Sequence, residues 1–250
     1  MTRTQVWASG GGVQSAAIAA LIVQGKLRPD LAVIVDTERE QSTTWRYMDE
    51  VISPALASVG VTLHRVRKSQ FEHRDRYSSN GTLLVPVFTT KNGEVGKLSN
   101  FCSSYWKREV VKRWATSQGV KSAMTWLGIS TDEMRRVQAD RGDKWRNRYV
   151  LIEQSMNRHD CEVLVERMGW PKAPRSSCYD CPNHTQAEWR DIRDNKPADW
   201  LAAIQSEREL HRTDPHAFLH PDCVPLDQAD LDERNGTLFG HECQSGHCFV

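Results

Sequence analysis

Apolar residues come in short blocks separated by polar turns along the first third of the chain. Thr4 to Ala8 is a short strand, Ser9 to Gln14 a glycine-bearing turn, and Ser15 to Gln24 a helix rich in Ala, Ile and Leu. A second strand, Leu31 to Val35, ends at Asp36. Helix signals resume over Thr44 to Leu56, and a third strand follows at Val61 to Val66. This alternation predicts an α/β fold, a Rossmann-like doubly wound and mostly parallel sheet with helices on both faces and right-handed crossovers.

The pattern breaks between Ser78 and Asn100, where Gly, Ser, Asn and Thr surround the apolar run Leu83 to Phe88 and predict a hairpin or flap. It resumes with a helix over Ser103 to Thr116, a strand over Ala123 to Ile129, and helices over Asp160 to Met168, Thr185 to Arg193 and Asp199 to His211. The expected division is a nucleotide-binding α/β domain over 1–153 and a small Cys-rich helical appendage with a flexible tail over 154–250.

Composition narrows the classes. With 250 residues and 39% hydrophobic content the chain can bury one sizeable core. A formal charge of +1 gives no general polyanion-binding field. No run approaches the roughly 20 apolar residues that span a bilayer, and the N-terminus has no secretory h-region, so the expectation is a cytoplasmic protein with no membrane partner. In a reducing compartment seven cysteines point to metal binding or catalysis more than to disulfides.

In Ala8-Ser9-Gly10-Gly11-Gly12-Val13-Gln14-Ser15, glycines stand between a strand and a helix. Bare N–H groups and the helix N-terminus can then face an anion, with Ser9 and Ser15 adding hydroxyls. An ordinary tight turn uses the same glycines. The Gly-Lys-Ser/Thr ending of a Walker A loop is absent, as is the spacing of a dinucleotide fingerprint.

The segment resembles the PP-loop of ATP pyrophosphatases, Ser-Gly-Gly-x-Asp-Ser, with Gln14 in place of Asp. Gly12-Val13-Gln14 is similar to the Gly-Ile-Gln-like version of phosphoadenosine phosphosulfate (PAPS) reductases. Val33-Ile34-Val35-Asp36-Thr37 followed by Thr44-Trp45-Arg46-Tyr47 resembles that family's Asp-Thr-Gly strand end and aromatic-bearing helix. Trp126 to Arg136 is similar to its Gly-(Leu/Ile)-Arg segment, with Ser130 at the first arginine, and Val150 to Glu153 stands at its Pro-Leu/Ile-Ile motif. The resemblance implies an adenine nucleotide, ATP or PAPS/APS, with or without Mg2+. It would be held by Ser9, Gly10, Gly11, Gly12, Gln14, Ser15, Asp36, Thr37, Gly128, Arg135 and Arg136.

Cys178-Tyr179-Asp180-Cys181, followed by Pro182, has a spacing at which two thiolates reach one metal centre. Cys102 opens a predicted helix, whose dipole favours thiolate, and Cys161 lies between them. Four cysteines suit a [4Fe-4S] cluster or zinc, and spacing alone leaves both open. Cys102 with Lys107, and Cys178 with Cys181, resemble the layout of iron–sulfur PAPS/APS reductases, with Cys161 as fourth ligand and Cys243 or Cys248 in reserve. Glu242-Cys243 resembles the start of the reductases' mobile tail, which implies a catalytic role for Cys243, with Cys248 nearby; the two can also close a disulfide or bind metal. Lys107, Arg108, Lys112 and Arg113 form a basic helical run suited to an anion or to solvent, and of these Lys107 is the candidate. His184 is expected to be a structural turn histidine.

Three functions remain in play. The first is thiol-dependent reduction of PAPS or APS by an oxidoreductase carrying an iron–sulfur cluster. The second is an ATP-dependent sulfurtransferase that thiolates a nucleobase in tRNA or DNA through adenylation, drawing on a thiol or sulfur donor. The third is a non-catalytic nucleotide or nucleic-acid binding module with a structural zinc site.

Overall fold

The computed structural model describes residues 3–91, 93–140 and 142–232. In chain order the elements begin with β1 (Thr4–Ser9), α1 (Val13–Val23), β2 (Leu31–Asp36), α2 (Ser42–Tyr47), a π-helical turn (Met48–Ile52), α3 (Ser53–Ala57) and β3 (Leu63–Arg67). There follow β4 (Phe88–Thr89), β5 (Gly96–Lys97), a second π-helical turn (Ser104–Arg108), α4 (Glu109–Ser117), β6 (Ala123–Trp126) and β7 (Trp145–Arg148). The last are α5 (Val150–Glu153), α6 (Arg158–Arg167), α7 (Gln186–Asn195), α8 (Pro197–Thr213) and β8 (Ala217–Phe218).

These elements gather into two compact units, one of residues 3–73 and 104–176, the other of 74–103 and 177–232. The chain therefore does not divide at 153 as the pattern suggested. α6 belongs with the first unit because it packs on α1, and the 74–103 segment belongs with the second because β4 pairs with β8.

The first unit is built on a five-stranded sheet of order β3-β2-β1-β6-β7, parallel throughout. From β1 the chain steps outward to β2 and β3, then returns past β1 to β6. Crossover direction reverses between β1 and β6, and in such sheets a ligand crevice opens at the carboxyl ends of those two strands. Alternate residues of the strands feed two cores. Trp7, Ala32, Ile34 and Trp126 pack with Ile18, Ile22, Ile52 and Leu56 from the helices on one face. Val6, Ala8, Val33, Val35 and Val66 meet Val110, Val111, Trp114 and Ala115 of α4 on the other. The expected α/β architecture, with helices on both faces, is thus the observed one.

α1 is apolar nearly all round, and nine of its eleven residues are buried, as a helix between a sheet and other helices must be. Its alanines let the sheet and α6 approach closely, and a fully buried Ile18 or Ile22 contributes about 1.5–3 kcal/mol. Cys161 on α6 lies in this same core, with no exposed surface. β7 was not foreseen: Trp-Arg-Asn-Arg lacks the β-branched pattern of a strand, and only pairing with β6 recruits it to the sheet edge.

The second unit carries the antiparallel sheet β5-β4-β8, the expected hairpin joined by a third strand. Its core holds Leu83, Val87, Trp189, Ile192, Leu210, Leu219 and Leu226. Thr185 and Glu188 form a capping box at the start of α7, and Pro197 opens α8. The buried Glu207 carboxylate accepts the N–H groups of Leu219 (2.8 Å) and Leu226 (2.5 Å), tying the chain after β8 to α8. Among the described residues no helix is long and apolar enough to cross a membrane.

Burial pushes the Cys161 thiol up to about 12, and the buried Tyr47 hydroxyl also to about 12. Both raised groups stay protonated in the fold after the unfolded chain begins to ionise. The stability they contribute is nearly complete up to about pH 8.5, where the unfolded thiol is still mostly protonated, and drains away as pH climbs toward 12. The urea midpoint is expected to be flat from pH 7 to 8.5 and to fall progressively above pH 9, with Cys161→Val weakening that fall.

Candidate functional site

β1 ends at Ser9 in the middle of the sheet, and the chain turns through Gly10, Gly11 and Gly12 into α1. Gly11 has φ +78°, a left-handed conformation that favours glycine. A Cβ there would stand 2.7 Å from Thr44 Cγ2 and 3.4 Å from Ser176 Oγ. One on Gly12 would meet Ser176 Cβ at 3.6 Å and the Pro174 carbonyl at 3.9 Å. Gly11 is therefore required by its own backbone conformation and by Thr44, whereas at Gly12 a Cβ would make only ordinary van der Waals contacts. The turn is braced from within, since Gly10 N–H donates to Ser15 Oγ at 2.7 Å. It is braced from outside by Ser176 Oγ, which donates to the Gly10 carbonyl.

Among the described residues no hydrogen bond engages the N–H groups of Gly11, Gly12, Val13 and Gln14. Around this run stand three buried hydroxyls with no partner among the described residues: Ser9 at the end of β1, Thr44 on α2 and Ser130 beyond β6. Ser130 occupies the N-cap of the short helical turn Thr131–Arg136 yet makes no capping bond. Unpaired donors of this kind are costly when buried, and an anion at a helix N-terminus satisfies several at once.

The charged candidates nearby are already committed. Asp36 accepts Arg65 through Oδ2 (3.0 and 2.7 Å) and the Glu38 N–H through Oδ1 (2.8 Å), while the Arg65 guanidinium lies 3.4 Å over the Trp45 ring. Asp36 thereby holds the bend at Glu38, whose φ is +64°. Thr37 Oγ1 donates to Glu40 at 3.4 Å, and Lys107 Nζ lies 2.8 Å from the same Glu40 oxygen in an almost fully buried pair. Lys107 sits in the second π-helical turn, not in the uniform α-helix predicted for it.

Gly128 is bare because a Cβ would stand 3.3 Å from Gln14 Cβ, so the end of β6 lies against the first turn of α1. Gln14 Nε2 donates to Glu133 Oε2 at 3.3 Å, and Glu133 Oε1 pairs with Arg136 at 2.8 Å, both buried. Of the two candidate arginines only Arg135 is exposed. A carboxylate at position 14 would face Glu133, which gives a physical reason for glutamine there. The sequence reading missed Thr44, Glu40, Glu133 and Ser176 as site residues. The Thr37-x-x-Glu40 spacing was a usable hint, but nothing local marks Ser176, which reaches Gly10 from 166 residues away.

In the second unit Cys178 and Cys181 bracket a tight turn. Cys181 N–H bonds to the Cys178 carbonyl (3.2 Å), His184 N–H to the Cys181 carbonyl (3.2 Å), and His184 Nε2 to the Cys178 carbonyl (2.9 Å). The His184 ring is buried against Trp189, making it the structural turn histidine expected. Cys102 is half-buried and its thiol donates to Asn100 Oδ1 at 3.0 Å. None of these three cysteines is joined in a disulfide, nor are Cys161 and Cys223.

Of the four expected ligands, Cys102, Cys178 and Cys181 lie in the second unit and Cys161 in the first. Among the described residues no group of three or more His, Cys, Asp or Glu side chains is gathered to hold a metal ion. Cys161, the first choice for the fourth ligand, lies in the apolar core of the first unit, where burial disfavours the thiolate. Cys243 and Cys248 lie outside the described residues.

No family model matches the sequence, and no curated protein matches it. Among solved structures the chain is similar to the U34-tRNA thiolase NcsA from Methanococcus maripaludis with its [4Fe-4S] cluster. The two are 12% identical over 84% of this chain and 72% of that one, with a TM-score of 0.44.

Two outcomes check this geometry. Gly11→Ala is expected to destabilise by more than the roughly 1–3 kcal/mol of a strained φ, because it adds the contact with Thr44. Gly119→Ala, at φ +85° with nothing within 4 Å of its Cβ, gives the backbone cost alone. In native protein at pH 8, iodoacetamide should modify Cys102, Cys178 and Cys181 and spare Cys161 until denaturant is added, as read by peptide mass spectrometry.

Proposed function

We propose that the chain is an adenine-nucleotide-dependent enzyme of the PP-loop kind, acting as a sulfurtransferase on a nucleobase carbonyl in tRNA or DNA. The observation that carries the nucleotide reading is the cradle at the β1/β6 switch point. Among the described residues four consecutive N–H groups, Gly11 to Gln14, are unengaged, and the buried hydroxyls of Ser9, Thr44 and Ser130 near them have no partner. The nearby carboxylates Asp36, Glu40 and Glu133 each face a cation, so their charge is neutralised close to where phosphate would sit.

In this reaction the nucleobase oxygen attacks the α-phosphorus of ATP. A C–O–P linkage forms, the Pα–O–Pβ bond breaks, and pyrophosphate leaves. Hydrosulfide, itself the sulfur donor, then adds to the activated carbon, the C–O bond breaks, AMP leaves, and the proton passes to solvent. The cradle's task is to hold phosphate charge through both steps, with any Mg2+ arriving on the phosphates. The half-buried cysteines Cys102, Cys178 and Cys181, together in one unit, suit a protein that handles sulfur.

A second reading is favoured by Gln14, whose amide is what the neighbouring Glu133 accepts, in keeping with the PAPS-reductase form of the loop. There a cysteine thiolate, for which Cys243 is the candidate, attacks the sulfonate sulfur of PAPS or APS. The sulfur–phosphate-oxygen bond breaks and the nucleotide leaves. A thiol donor then releases sulfite from the cysteine, forming a disulfide.

Pyrophosphate release from ATP in the presence of tRNA or DNA, with the thiolated base sought by mass spectrometry, is expected to be positive. Sulfite release from PAPS or APS with a dithiol, without pyrophosphate, would replace the first reading by the second. Nucleotide binding with neither product would leave a binding module and sink both enzyme readings.

A further inference from the structure

The Gly10–Gly11 peptide has glycine on both sides, so its plane can flip at little steric cost. Its orientation nevertheless decides whether the cradle exists. In a planar trans peptide the carbonyl and the N–H point in opposite directions, so the Gly10 carbonyl and the Gly11 N–H exchange sides on flipping. Ser176 Oγ donates to that carbonyl. The same residue packs over the turn, with its Oγ 3.4 Å from where a Gly11 Cβ would be and its backbone N 3.7 Å from where a Gly12 Cβ would be. Pro174, whose fixed φ stiffens the approach, has its carbonyl oxygen 3.9 Å from where a Gly12 Cβ would be.

We propose that Ser176 is a positioning residue for the anion cradle, which fixes the Gly10–Gly11 peptide with its N–H turned away from the 174–176 segment and toward the ligand. This rests on the nucleotide reading above and adds to it a residue outside the glycine loop. Without the hydroxyl the peptide samples both orientations. Binding then first has to select the competent one, and the penalty falls on phosphate groups alone.

The test compares wild type, Ser176→Ala and Ser176→Thr by calorimetric titration with ATP, inorganic pyrophosphate and adenosine, and by 15N NMR of the Gly11 amide without ligand. Ser176→Ala is expected to weaken ATP and pyrophosphate about tenfold, the scale of one lost hydrogen bond, and to leave adenosine unchanged. Its Gly11 resonance should shift or broaden from exchange. Ser176→Thr, which keeps the hydroxyl, should restore phosphate affinity to within about threefold of wild type. Unchanged phosphate affinity in Ser176→Ala, or a parallel loss for adenosine, would overturn the proposal. So would a Gly11 resonance identical to wild type, a measurement that needs no ligand. A wild-type protein that binds neither ATP nor pyrophosphate counts against the nucleotide reading, while the Gly11 resonance still decides on Ser176.

Discussion

β1 is held between β2 and β6 by parallel ladders on both edges and buried under helices on both faces, so its register has no freedom. Because the chain leaves β1 first toward β2 and later returns to β6, the carboxyl end of β1 lies at the one place in the sheet where crossovers diverge. The glycine turn inherits its position from that strand. The proposed contacts with phosphate follow from it, since Gly128 and Ser130 come just after β6 and Thr44 lies on α2.

Charge around the turn is arranged by pairing. Asp36 with Arg65, Glu40 with Lys107 and Glu133 with Arg136 each neutralise a carboxylate near the crevice, two of the three pairs deep inside the protein. Buried ion pairs of this kind add little net stability, but removing one partner strands the other. What is left unengaged among the described residues is a set of N–H and hydroxyl donors without their own counter-charge. That distribution favours an anionic ligand over a cationic one and makes Gln14, held by Glu133, the residue that most distinguishes this loop from one carrying aspartate.

The cysteines separate by environment. Cys161 behaves as a small apolar core residue on α6, with its thiol held protonated by burial. Cys178 and Cys181 lie in a turn organised by His184, and Cys102 is bonded to Asn100 in the same unit. Burial also raises the Cys223 thiol, with Asp222 adding to the effect, which leaves these three as the proposed sulfur-handling cysteines among the described residues.

Periodicity and turn chemistry in the sequence were enough to determine the alternation of β1, α1, β2 and β3, the parallel sheet, the hairpin near residue 88 and the glycine turn. These rest on local spacing and on backbone conformations that only certain residues adopt. β7 was invisible because Trp-Arg-Asn-Arg has no strand pattern of its own and is extended only by its ladder to β6. The sequence could count cysteines but not tell Cys161 from the others, since burial is a property of packing. Nor could it find Ser176, Glu133 or Glu40, which matter through contacts with residues distant in the chain or through enclosure by several elements. The glycines illustrate both halves: their presence marked the turn, and only the tertiary structure showed that Thr44 occupies the space a side chain on Gly11 would need.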